Sequence, residues 1–120
     1  MKKIIILIPV FNDWSSLEKL IFETNNVIKK FDNFSFELIV INDASTISKP
    51  KFKKPKNFQS LKILNMKKNS GHARCNAFGI RYIEQNEKFD YVILMDGDGE
   101  DRPEEISNLI EEIKKNPQIS

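Results

Sequence analysis

An open, mostly parallel α/β sheet flanked by helices, of Rossmann-like type, is the fold class this sequence predicts. Three observations carry the prediction. Short β-branched apolar runs recur at residues 3–10, Phe36–Ile41 and Tyr91–Met95, with a weaker one at Leu61–Leu64. Runs that are apolar on both faces belong to parallel strands covered by helices. Segments with apolar residues at helical spacing separate or follow them, in the order strand-helix-strand-strand-helix-strand-helix. A chain of 120 residues has room for one domain, residues 1–120, with one core.

The first helix is expected between strands one and two, where Leu17, Leu20, Ile21, Ile28 and Phe31 recur at helical spacing. Ser15 and Glu18 there have the separation of a capping box. Asn69-Ser70-Gly71 opens the second helix, with Ala73, Ala77, Ile80 and Ile83 expected on one face. The third takes Asp101 as its cap and Pro103 near its first turn, with Ile106, Leu109, Ile110 and Ile113 as its stripe. Glu104 and Glu105 suit the positive end of its dipole. The stretch Ser48 to Lys56, SKPKFKKPK, holds two prolines and five lysines and reads as an exposed connector. Its lysines also suit anionic lipid headgroups, so a membrane-surface contact through Lys49 to Lys56 is an expectation.

Composition narrows the function classes. With 40% hydrophobic and 30% charged residues, 4 Gly and 5 Pro, the chain is neither disordered nor low in complexity. Its 19 basic and 17 acidic residues give +2, which makes no case for nucleic acid. Residues 1–60 carry 10 bases and 6 acids, whereas residues 61–120 carry 9 bases and 11 acids, concentrated after Asp96. One cysteine, Cys75, and one histidine, His72, exclude an internal disulfide and a zinc site of the usual four ligands. Cys75 reads most simply as a small core residue, and a reducing, cytoplasmic setting is expected. The start, MKKIIILIPVF, has the look of a signal peptide but runs into Asn12-Asp13-Trp14 without a small-residue cleavage site. No apolar run approaches the ~20 residues of a bilayer span.

The candidate chemistry lies at the strand ends. The first strand ends in Pro9-Val10-Phe11-Asn12-Asp13, a sharp turn that exposes polar groups. The second ends in Asn42-Asp43-Ala44-Ser45, where a carboxylate can accept hydrogen bonds from a base or a ribose, or simply close a turn. The fourth delivers DGDGED, with Asp96, Asp98, Glu100 and Asp101 within six residues and glycines at 97 and 99. So dense a charge repels itself, and two carboxylates at i and i+2 can converge on one hard cation that bridges a diphosphate. An EF-hand is excluded, because its sixth and twelfth positions would hold Asp101 and Ser107. A haloacid dehalogenase-like phosphatase stays as an alternative, with Glu100 where those enzymes usually have Thr or Ser. At the start of the second helix, free N–H groups, His72 and Arg74 can face an anionic ligand such as a nucleoside diphosphate, or can be plain surface residues.

Taken together, IPVFND, ELIVINDAS, NSGHARCNAFGIRYI and YVILMDGDGEDRPEEI resemble the family 2 glycosyltransferases over nearly the whole chain. Within that family the resemblance points to the dolichyl-phosphate-mannose synthase-like group, which includes bacterial enzymes that load a sugar onto a polyprenyl phosphate. It implies a GT-A fold in which residues 1–120 form the nucleotide-sugar half and end after the D-x-D motif and its following helix. Pro9, Val10, Phe11, Asn12 and Asp13 match the segment that lines the base pocket. Asp43, with Ser45 beside it, matches the acid expected at the nucleobase. Gly71, His72, Arg74, Asp96, Gly97 and Asp98 complete the implied nucleotide-sugar site. Asp96 and Asp98 match the D-x-D pair, and Glu100 stands where a third ligand to Mg²⁺ or Mn²⁺ is expected. Metal and diphosphate would together stabilise the leaving group of an inverting displacement.

The implied partners are a UDP- or GDP-linked sugar and a lipid-phosphate or glycan acceptor, met at the cytoplasmic face of a membrane. Asn42 and Ala44 depart from the family, which commonly has an acid and a glycine there. Relatives usually run a hundred or more residues further and supply the acceptor side and the general base. The 120-residue chain is therefore expected to bind nucleotide yet turn over poorly alone, and an exposed strand edge makes a homodimer an expectation. The competing reading is a non-catalytic binding module on the same fold.

Overall fold

The computed structural model describes residues 1–97 and 103–116. The elements are β1 (Lys2–Val10), α1 (Trp14–Ile28), β2 (Phe34–Asn42), β3 (Ser60–Asn65), α2 (His72–Asn86), β4 (Tyr91–Leu94) and α3 (Pro103–Lys115). The four strands form one parallel sheet in the order β3-β2-β1-β4. The open parallel α/β fold read from the apolar runs is the fold of the chain.

Alternation along the central strands divides the core into two layers. Ile4, Ile6, Ile8 and Val10 of β1, with Phe36, Leu38 and Val40 of β2, face α1 and α3. Ile5, Leu7, Ile39 and Ile41 face α2 on the opposite side. Continuous apolar sequence is what a strand covered on both faces requires, and β1 is buried from Ile4 to Val10. Proline within such a strand normally costs a ladder bond. Pro9 avoids that cost by position: Leu7 accepts from the N–H of Met95, and Pro9, two residues on, faces the same side beyond the end of β4.

Three local expectations are corrected. The cap of α1 is Asp13, whose carboxylate accepts from the N–H of Ser16, so Ser15 lies inside the first turn. Trp14 fixes that earlier start, being buried and donating its indole N–H to the carbonyl of Ile47. Phe31 is buried but lies past the helix end. The packed face of α2 is Cys75, Gly79 and Ile83; Ala73 and Ala77 are exposed and Ile80 is half-buried. Gly79 sits so near the sheet that a Cβ there would be 2.7 Å from Cδ1 of Leu7. On α3, Ile106, Ile110 and Ile113 are buried while Leu109 is half-exposed. The Asp101 cap lies outside the described residues.

Candidate functional site at the carboxyl edge of the sheet

All four strands end on the same side, and the segments that leave them are tied together by polar side chains. Asn12 has a φ of 64°, a left-handed conformation that asparagine tolerates better than most residues. Its side-chain oxygen accepts from the N–H groups of Thr46 (2.7 Å) and Ile47 (2.9 Å), and its backbone N–H donates to Oγ of Ser45 (2.9 Å). The β1 exit is thereby fastened to the β2 exit. Asn42 braces the same turn, accepting from the N–H of Ser45 and donating to Asn65 at the end of β3.

Asp43 makes the second tie. It is 1% exposed, and its carboxylate accepts from the N–H of Ser70 (2.7 Å), the N–H of Gly71 (2.9 Å) and the side-chain amide of Asn69 (3.2 Å). Three donors from the 69–71 turn thus hold the Asp43 carboxylate in place. The same bonds occupy two N–H groups that the sequence had suggested for an anionic ligand. His72, Ala73 and Arg74, in the first turn of α2, remain as N–H groups with no intrahelical carbonyl. Gly71, at φ 91°, provides the turn into the helix.

Burial pushes the Cys75 thiol up to about 12, with the Asp43 carboxylate adding to the effect. It is a core thiol, as the sequence suggested, and it is held protonated.

The third tie reaches β4. Nδ1 of His72 lies 3.7 Å from Oδ1 of Asp96, and both side chains are roughly half-exposed. Gly97 is buried against β1, where a Cβ would meet the carbonyl oxygen of Pro9 at 3.1 Å. Glycine at 97 thus lets the chain leaving β4 lie directly on the end of β1, which positions Asp96 at the edge. Asp98 and Glu100 lie outside the described residues. Among the described residues no three His, Cys, Asp or Glu side chains are grouped to hold a metal.

Pro9 and Val10 are buried in β1, Phe11 is 40% exposed, Asp13 is exposed at its capping position, and Arg74 is exposed on α2. The structure therefore gathers Asn12, Asp43, Ser45, Gly71, His72, Asp96 and Gly97 at one edge. Phe11 and Arg74 stand outside that hydrogen-bond network. Thr46, Asn69 and Ser70 belong to the network although they were not among the expected site residues. Their signal was Ser, Thr and Asn clustered at strand exits, where such side chains bind turn backbone.

The glycosyl transferase family 2 model matches residues 5–120. The chain belongs to that family. Its parallel sheet with helices on both faces is consistent with the Rossmann-like GT-A fold. The match includes the DGDGED segment and leaves the phosphatase alternative without support. Among curated proteins, the chain is 26% identical over 118 residues to the dolichyl-phosphate beta-glucosyltransferase ALG5A of Trichomonas vaginalis, covering 91% of this chain and 34% of that one. It is also 26% identical over 115 residues to the uncharacterized protein MJ0544 of Methanocaldococcus jannaschii, covering 92% of this chain and 46% of that one. The chain thus spans between a third and a half of the length of these relatives.

Proposed function

We propose that residues 1–120 are the donor-binding half of a glycosyltransferase that takes a nucleoside-diphosphate sugar, UDP- or GDP-linked, and serves transfer to a lipid phosphate such as a dolichyl or polyprenyl phosphate. The observation that carries this reading is the convergence, in a family 2 chain, of the β1, β2 and β4 exits and the α2 N-terminus on one edge, with Asp96 half-exposed there. Open parallel sheets bind their ligands at this edge. The lipid-phosphate acceptor is supported by the name of the Trichomonas relative.

A divalent cation, Mg²⁺ or Mn²⁺, fits the donor chemistry. Asp96 presents a carboxylate at the edge, and Asp98 and Glu100 extend an all-oxygen set of the kind hard cations take. When bound, such an ion offsets the charge that develops on a departing diphosphate. The chain's own contribution is positional. Asn12 and Asp43 fix the two loops that flank the edge, Gly97 sets the β4 exit against β1, and the first turn of α2 offers free N–H groups and the positive end of its dipole to an anionic donor. The general base for the acceptor is not assigned to these residues.

The test is a thermal-shift panel of UDP, GDP, CDP and ADP, each with and without Mn²⁺ or Mg²⁺, with Asp98→Ala as control. A ligand at 100 times its Kd stabilises by about 2.7 kcal/mol, which a melting curve resolves. The expected result is stabilisation by one diphosphate that depends on metal and disappears in the variant. A cooperative melt that none of the nucleotides moves would sink the donor reading and favour a non-catalytic module.

A further inference from the structure

From Ala44 to Ile83 the sequence holds eight lysines and two arginines and no aspartate or glutamate. All 17 acids and the other nine bases lie outside this stretch, so a total of +2 conceals a charge segregation along the chain. The fold displays much of the basic charge on one strap. The crossover from β2 to β3 is not a helix but an irregular segment laid along α1. Phe52 packs on Trp14 with ring centroids 5.9 Å apart, Asn57 exchanges hydrogen bonds with Asn25, and Phe58 is buried in the α1 face of the core. With these residues turned inward, Lys49, Lys51, Lys53, Lys54 and Lys56 are all exposed. Lys54 folds back to donate to the carbonyl of Phe58, 2.7 Å away. None of the five pairs with a carboxylate among the described residues.

Apolar side chains stand exposed beside this row. Phe22 of α1 is 66% exposed, and Ile47, where the strap begins, is 57% exposed. Phe22 and Phe52 line a groove of about 260 Å³ between α1 and the strap, flanked by Lys51 and Lys53 and by a single acid, Glu18. Ammonium groups on flexible stems around a protruding phenyl ring match a lipid interface, where the charges meet headgroup phosphates and the ring enters the acyl boundary. We infer that the 48–56 strap and Phe22 form a docking surface for an anionic membrane. A nucleic-acid surface fits less well: the strap has no arginine, and Phe52, the ring within the lysine row, is turned into the protein and offers no stacking platform. The inference does not depend on nucleotide binding at the carboxyl edge.

The experiment is co-sedimentation of the 120-residue chain with phosphatidylcholine vesicles that contain or lack about 30% phosphatidylserine. Binding is expected to the anionic vesicles only, and to fall steeply between about 0.1 and 0.5 M salt. Lys49→Gln, Lys51→Gln and Lys53→Gln together should lower partitioning roughly 100-fold, at about fivefold for each lysine. Phe22→Ser should lower it at least about tenfold. All four positions are exposed, so an unchanged melting curve verifies that each variant is folded. Equal binding to neutral vesicles, no binding at all, or unaltered partitioning of the triple variant overturns the inference. Stronger capture by an oligothymidylate than by vesicles at equal phosphate overturns it in favour of nucleic acid.

Discussion

Ala44 has a φ of 58°, a left-handed conformation in which a Cβ is strained. It lies between Asp43 and Ser45, both held by hydrogen bonds, so the backbone there is set by its neighbours. Glycine at this position removes a strain of about 1–2 kcal/mol and gives back up to about 1 kcal/mol in unfolded-chain entropy. Ala44→Gly should therefore raise unfolding stability by about 0.5–1 kcal/mol, measured by urea denaturation. Asn12 occupies the same region of φ without that cost and spends its side chain on the 45–47 turn. Cys75 gives the second residue-level prediction. Its thiol keeps its proton to about pH 12 in the folded chain against a reference value of 9.0. The thiol therefore contributes stability that is complete below pH 9 and falls between pH 9 and about 12, by about 1.4 kcal/mol per pH unit. Urea titrations from pH 8 to 11 should show this slope in the parent and its loss in Cys75→Ala, since other alkaline titrations cancel in the difference. An identical slope in both chains would contradict the assignment.

At the scale of elements, β4 is one of the two edge strands of the sheet among the described residues. Leu94 is 48% exposed, and with Leu109 it borders a groove of about 330 Å³ between β4 and α3. An apolar strand edge invites pairing with other chains, and lysine is the usual deterrent. The parent's light scattering is expected to rise with concentration, and Leu94→Lys, at a cost under about 1 kcal/mol in stability, should suppress that rise. Unaltered association would place the contact elsewhere. The elements themselves were legible: buried parallel strands need apolar runs, which β1, β4 and residues 38–41 of β2 supply. The face of α2 was not, because close packing selected Cys75 and Gly79, whose smallness a hydrophobic pattern does not weight. The start of α1 was misplaced for a similar reason. Spacing favours Ser15, but the tertiary bond from Trp14 to Ile47 draws the helix back to Asp13.

For the whole molecule, sequence pattern located the edge where the candidate site lies but not how it is held. The bonds from Asn12 to Thr46 and Ile47 join residues 34 and 35 apart, and those from Asp43 reach 28 residues ahead. No local spacing encodes such pairs. The strand order has a further consequence, for how the chain is made. β1 lies inside the sheet and is synthesised before β2, β3 and β4, yet Lys3 meets Asp90 across 87 residues, and the strand pairs among the described residues are all parallel. At about 5–20 residues per second of translation, one flank of β1 stays unpaired for roughly 4–17 s after that strand is synthesised. Through that interval the side of β1 that β4 will pair, from Ile4 to Leu7, holds backbone N–H and C=O groups with no strand partner, an edge open to mispairing until β4 arrives.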